Sequence, residues 1–323
     1  MRMGVVGSSS VDVFAVSKFF RPQTEQLQAQ VVLEHGSKLW LDDAINEPGG
    51  GGLLSSIVFA RQDHDTYLLT VIANDLFGNE IRTVAKEENF ELLGNIDAIK
   101  SHTDTTIHLS SNSQDQTTMH FDGSFNLLNK KDVQSIPTDL DWLHIAGLPN
   151  EKSVLNKIVK FAKSHNIQVS INPRYSHNMS TKQLMKLICS CDLLVINRDE
   201  ACMLLGSFCS HIEAAKKLYD SHIKHVVVYG GDDGSAVAFD GNVYSIDSNY
   251  KIKPIEYSGA ESVFAAAYAE KYAASLSFEQ ALTHAQAQSI SVKTISGARS
   301  AILKQPLLEP IEINIHHNIE GEL

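Results

Sequence analysis

The sequence predicts an α/β fold: a central, mostly parallel sheet with helices on both faces, plus a small β-sheet set apart from it. Three observations lead there. From Asp141 onward, short apolar runs alternate with amphipathic segments of helical length, the rhythm of strand–helix–strand crossovers and so of parallel pairing. Runs such as Leu193-Leu-Val-Ile196 and His225-Val-Val-Val-Tyr229 are apolar on consecutive residues, as strands covered on both faces must be. Two stretches, Lys18 to Glu47 and Thr105 to Phe121, break this rhythm with irregular or alternating polar sequence and read as β-rich insertions.

Composition narrows the class. The 323 residues are 43% hydrophobic and 20% charged, enough for a proper core in one domain spanning 1–323. A formal charge of −11 disfavours nucleic acid and anionic membrane as partners and leaves a small molecule, for which a local basic pocket suffices. No run approaches the roughly 18 apolar residues of a membrane span, and the N-terminus reads as a first strand, so a cytoplasmic protein is expected. Cys189, Cys191, Cys202 and Cys209 fit neither a zinc nor a secreted disulfide spacing and are expected to be reduced and mostly buried.

In chain order, Met3 to Ser8 is the first strand, followed by Gly7-Ser-Ser-Ser10 and by Asp12, which by itself reads as a turn residue. The insertions, about 13–47 and 100–125, supply the small sheet, the second as a hairpin turning near Asn112 to Gln116. Between them lie Pro48-Gly-Gly-Gly-Gly52, a helix over Leu53 to Arg61, a buried strand over Thr66 to Ile72, and Asn74 to Glu80 leading into another helix. Strands follow at Asp141–Ala146, Ile167–Ile171, Leu193–Ile196 and His225–Tyr229, with helices at Lys152–Lys163, Thr181–Ser190 and Ile212–Tyr219. Val154, Leu155, Ile158, Val159 and Ala162 form the apolar stripe of the first of these helices. The stretch Lys251 to Tyr268 reads as an extended lead-in, a turn at Ser258-Gly-Ala260 and a helix. A helix over Phe278 to Ser291, with Ala281, Leu282, Ala285 and Ile290 inward, then Ser296-Gly-Ala298 and a strand at Ile311–Ile315, complete the chain. His316-His317 has no metal-ligand spacing.

Ligands of such sheets collect at the strand C-termini, where three polar clusters fall: Asn172-Pro-Arg174, Asn197-Arg-Asp-Glu200 and Gly230-Gly-Asp-Asp-Gly-Ser235. Each also reads as a cap or turn; Asn197 and Glu200 have capping-box spacing. The helix that begins near Gly259 to Ser262 presents unpaired N–H groups at the positive end of its dipole, a place for a phosphate as well as a plain tight opening turn.

The order and spacing of these motifs resemble the ribokinase (PfkB) family of sugar and nucleoside kinases. The family's second signature, Asp-Thr-x-Gly-Ala-Gly-Asp-x-Phe, is similar to Glu256-Tyr-Ser-Gly-Ala-Glu-Ser-Val-Phe264, with Gly259, Ala260 and Phe264 matching. Its first signature, a Gly-Gly turn opening a helix that ends in Ala-Arg and is followed by Gly-x-Asp-x-x-Gly, is matched at Gly50, Gly51, Ala60, Arg61, Asp75 and Gly78. The resemblance implies a lid built from the small sheet, often also the dimer contact; ATP and Mg²⁺ as cofactors; and a sugar or nucleoside substrate held by Asp12, Gly50, Gly51, Arg174 and the position of Leu54. It further implies nucleotide contacts at Gly230, Gly231, Gly234, Gly259 and Ala260, and water-mediated magnesium at Asn197 and Glu200, whose oxygen ligands suit that ion.

The same resemblance marks three departures. Ser262 stands where the family has its catalytic Asp, and serine has no basic form near neutral pH, which removes a contribution of about 10²- to 10⁴-fold. Glu261 replaces the third small residue of the anion-binding turn and brings a like charge toward a phosphate. Leu54 replaces a substrate-contacting Asn, and an apolar side chain cannot bind a hydroxyl. The expected function is therefore a kinase homologue with weak or lost ATP-dependent phosphotransfer. The alternatives are an active kinase with a displaced base, Glu261 or else Glu256 or Asp247, and a non-catalytic interaction protein on the kinase fold.

Overall fold

Strand β1 (Arg2–Gly7) is an interior strand of the main sheet, and the chain then leaves that sheet for β2 (Ser10–Val16) and β3 (Asp43–Gly49). The computed structural model describes residues 1–21, 30–111, 116–149, 151–174, 179–248, 254–255, 257–295, 297–304 and 313–316. Helix α1 (Gly51–Arg61), β4 (Asp65–Leu69), α2 (Leu76–Glu87), β5 (Glu91–Leu93) and the antiparallel pair β6 (Asp104–Ser110) and β7 (Gln116–Phe121) come next. The second half alternates: β8 (Trp142–Ala146), α3 (Lys152–Ser164), β9 (Gln168–Asn172), α4 (Thr181–Ile188), β10 (Leu193–Asn197), α5 (Arg198–Leu205), α6 (His211–Asp220), β11 (Val226–Tyr229). It closes with β12 (Ser235–Phe239), β13 (Asn242–Ile246), α7 (Ala260–Ser275), α8 (Phe278–Val292), α9 (Ala298–Ala301) and β14 (Ile313–His316).

Among the described residues the large sheet has the order β14-β13-β12-β11-β10-β9-β8-β1-β4-β5. The seven strands from β11 to β5 pair in parallel. Helices cover both faces: residues of α1, α2, α7 and α8 share one core with the sheet, and residues of α3, α4 and α6 share the other. This is why β8 and β11 are buried at every position and read as unbroken apolar runs. The small sheet has the order β3-β2-β6-β7, with β2 and β6 parallel in register Asp12 to Thr106.

Several expectations need correcting. The sheet is mostly parallel as expected, but strands β12 and β13 were missed: with β14 they add an antiparallel edge, and the hairpin between them turns at Asp240-Gly241, both at positive φ, a sequence signal that the strand–helix rhythm masked. Helix α5, opened by Asn197 as its cap, was also missed, being only two turns long. Asp12 lies within β2, not in a turn. Where the stretch leading into α7 is described, at Pro254, Ile255 and Tyr257, it is irregular and not a strand, Ile255 donating its N–H to the Lys293 carbonyl at the end of α8. Lys251 to Lys253, Glu256, Ser296, Ile311, Glu312, His317 and most of the hairpin turn at 112–115 lie outside the described residues. The four cysteines are free thiols, Cys191 and Cys209 buried and Cys189 exposed.

Candidate functional site

A cavity of about 260 Å³ opens where the C-terminal ends of β1 and β9, the start of α1 and the start of α7 meet the small sheet. The glycines decide how closely these parts approach. Gly259 caps α7 at φ 78°, and a Cβ there would lie 2.6 Å from the Ala298 Cβ and 2.9 Å from the Leu54 Cδ1, so a side chain is excluded on both conformational and steric grounds. Leu54 is 2% exposed and thus floors the cavity directly beneath the turn.

Asp12, Gly50, Gly51, Leu54, Arg174, Gly259, Glu261 and Ser262, all singled out from sequence, line this one cavity. Ser262 is buried in the first turn of α7. The Glu261 carboxylate turns toward the sheet: its Oε1 accepts from Asn172 Nδ2 at 3.1 Å and its Oε2 from Asn197 Nδ2 at 2.8 Å. Both oxygens are thereby engaged by amides at the ends of two adjacent strands, β9 and β10. Asn172 is buried and shares its amide with the Val195 carbonyl. Asn197 in turn accepts the Glu200 N–H at 2.8 Å as the cap of α5; the capping reading of that pair and an amide directed at the α7 turn therefore both hold.

Gly230, Gly231, Gly234, Ala260, Asn197 and Glu200 do not line the cavity. The glycine turn after β11 is fixed instead from another side. Asp232 accepts from Lys293 Nζ at 2.7 Å and from the Tyr257 hydroxyl at 2.9 Å, joining the turn, the segment before Ser258 and the end of α8. Lys293 is 4% exposed, its ammonium 5.6 Å from the Tyr229 ring centroid and 5.4 Å from that of Tyr257, within cation–π range. Burial alone would lower its pKa, but Tyr229 and Asp232 outweigh burial and hold it above the ordinary lysine value. Asp247, weighed as a substitute base, is exposed and outside the cavity wall.

The small sheet supplies the opposite wall through Ser10, Asp12, Thr106, His108, Gln116, Thr118 and His120. The Ser10 hydroxyl donates to Asp12 Oδ1 at 3.1 Å, and His108 Nε2 lies 3.9 Å from Asp12 Oδ2. His108 stacks on Phe14 with ring centroids 4.6 Å apart, and burial, then His120, push its imidazole down to about 4. It is neutral at pH 7 and can accept a proton or a hydrogen bond. Sequence reasoning missed His108, His120 and Lys293. The two histidines had a signal, since alternation along β6 and β7 sends His108 and His120 to the face that Thr106 and Thr118 share; Lys293 had none.

With the geometry in place, comparison with known proteins is decisive at the level of family. Residues 6–304 match the model of the pfkB family carbohydrate kinases. The chain belongs to that family. Solved structures agree in fold, a mostly parallel ribokinase-like sheet with a second small sheet: the Thermotoga maritima ribokinase (18% identity, TM-score 0.73, 93% of this chain and 95% of that one). Similar too are a Vibrio cholerae fructokinase solved with fructose, ADP and calcium (18%, 0.74, 94% and 96%) and an Arabidopsis thaliana ribokinase with ribose and ATP (17%, 0.73, 94% and 95%). None of the curated proteins matches the chain significantly in sequence.

The residues of this PfkB-family chain fit the family's cofactors unequally. Glu200 and Asn197 are oxygen ligands of the kind a hydrated Mg²⁺ accepts. Among the described residues, no three His, Cys, Asp or Glu side chains converge as a direct metal cage. At the start of α7 the Glu261 carboxylate, held by the amides of Asn172 and Asn197, sets a like charge where the resemblance expects a phosphate.

Proposed function

We propose that this PfkB-family protein is a carbohydrate- or nucleoside-binding kinase homologue whose ATP-dependent phosphotransfer is weak or lost. One observation carries the reading: at the start of α7, Ser262 holds the position of the family's base while the adjacent Glu261 carboxylate is spent on Asn172 and Asn197. A carboxylate tied by two amides is a structural acceptor, poorly placed to take a proton from a substrate hydroxyl. It also sets negative charge against the site where the family seats phosphate.

The substrate side retains more. Asp12, backed by Ser10, is an acceptor of the kind that takes two hydroxyls of a polyol, and the small sheet stands over the cavity as a lid would. Exposed Trp40, Met119 and Phe121 on that sheet and its connections support a homodimer through it. A cytoplasmic location and a small-molecule partner accord with the net charge of −11; among the described residues no helix is long and apolar enough to cross a membrane. The test is ADP release with ATP·Mg²⁺ and a pool of sugars and nucleosides, comparing the natural chain with a Ser262→Asp, Glu261→Gly double variant. A kinase-like rate from the natural chain, abolished by Glu261→Gln, overturns the proposal in favour of Glu261 as a displaced base.

A further inference from the structure

We infer that the ligand of this cavity is a polyol carrying an anionic group, a carboxylate or a phosphate, seated between Arg174 and His120. The inference rests on the reading of the cavity as a retained ligand site. Arg174 stands just beyond the C-terminus of β9, in the left-handed backbone region at φ 43°, and contributes to the cavity wall. Among the described residues no carboxylate pairs with it. Arg174 is exposed, so its fixed fork of donors is open to a ligand, and that fork suits a planar carboxylate or a phosphate.

His120 reaches the same cavity from β7. Burial lowers its pKa first, and Arg174 lowers it further, against the opposing effect of Asp122. His120 in its turn lowers His108, and the guanidinium and both imidazoles line the one cavity. The carboxylates nearby are already engaged: Asp12 by Ser10 and by proximity to His108, and Glu261 by Asn172 and Asn197. An anion between Arg174 and His120 offsets the charge of the guanidinium and favours the protonated form of His120. The remaining wall is suited to hydroxyls: Thr106 Oγ1 lies 3.3 Å from His120 Nδ1, Thr118 Oγ1 lies 3.4 Å from His108 Nδ1, and Asp12 is an acceptor.

The test is isothermal titration of the full chain, without nucleotide, with gluconate and fructose 6-phosphate against glucose, fructose, ribose and adenosine. Two buffers of different ionisation heat count the protons taken up. One of the two anionic ligands is expected to bind roughly tenfold or more tightly than its neutral counterpart, the scale of a hydrogen bond to a charged group, with net proton uptake. Preference for gluconate identifies a carboxylate, and preference for fructose 6-phosphate a phosphate. Arg174→Gln is expected to erase the preference at an unchanged unfolding midpoint, Arg174→Lys to keep part of it, and His120→Asn to abolish the proton uptake. Equal or tighter binding of neutral ligands, or a preference that survives Arg174→Gln, overturns this inference while leaving the proposed function standing. Binding of no ligand at all overturns both, and ADP release in the same samples reads phosphotransfer independently.

Discussion

Restoring the family's residues at the start of α7, by Ser262→Asp with Glu261→Gly, separates the contributions of charge and of base. Removing Glu261 deletes a negative charge near a phosphate bound at the helix start; at about 5 Å and an effective dielectric of about 20 that charge is worth roughly 3 kcal/mol, or about a hundredfold in nucleotide affinity. Supplying an aspartate at 262 adds roughly 10²- to 10⁴-fold in the chemical step. The change has a structural cost. It deletes an acceptor of Asn197 at 2.8 Å and one of two acceptors of Asn172, which keeps the Val195 carbonyl, at a cost of about 1–3 kcal/mol, so the double variant melts a few degrees lower. Coupled detection of ADP, run below both melting transitions, is expected to give background turnover for the natural chain, little change for Ser262→Asp alone, and a clear rate for the pair. Ordinary kinase turnover by the natural chain, lost in Glu261→Gln, refutes the reasoning.

Three further outcomes follow from the same geometry. Leu54→Asn buries an amide in a side-chain position now 2% exposed and should lower stability by about 2–3 kcal/mol in denaturant titration, whereas combined with the double variant it should raise polyol affinity. Asp232→Ala strands the buried Lys293 ammonium and should cost about 2 kcal/mol or more, while Lys293→Met, which leaves only an exposed carboxylate behind, should be nearly neutral; calorimetry distinguishes them. Burial pushes His144 and His225 down to about 3 and His108, with His120 adding, to about 4. The unfolded chain therefore binds protons below about pH 6.5 that the folded chain refuses, and stability falls as the pH drops from there toward 3–4, by roughly 2 kcal/mol per histidine at pH 5. Asp104, raised to about 6 chiefly by burial, acts in the opposite direction, stabilising the fold as pH falls from about 6 toward 4. The sum still favours unfolding in acid, and His144→Gln should flatten the slope.

Much of the fold was legible because the sheet is covered on both faces: β8, β10 and β11 are apolar at nearly every position, and only a doubly covered strand tolerates that. The antiparallel edge was not, since its alternation at β13, buried and part-buried by turns, resembles many loop sequences and its pairing with β14 spans a long separation in the chain. At the site, Asp12, Gly50, Gly259, Glu261 and Ser262 were readable through the family resemblance. Their partners were not, because Asn172, His120 and Lys293 are brought in by elements far away in sequence.

By itself, then, the chain determined its class, its family resemblance and the identity of its three departures, Leu54, Glu261 and Ser262, for these are local facts of residue type at a recognisable spacing. Only the tertiary structure decided where those departures sit and what they touch. Whether Glu261 faces the cavity as a base or the sheet as an acceptor depends on two amides at the ends of separate parallel strands, and whether Arg174 is paired depends on every segment that could reach it. Side-chain direction and ion pairing are set by what packing places within a few ångströms, and no pattern along one strand of sequence contains that distance.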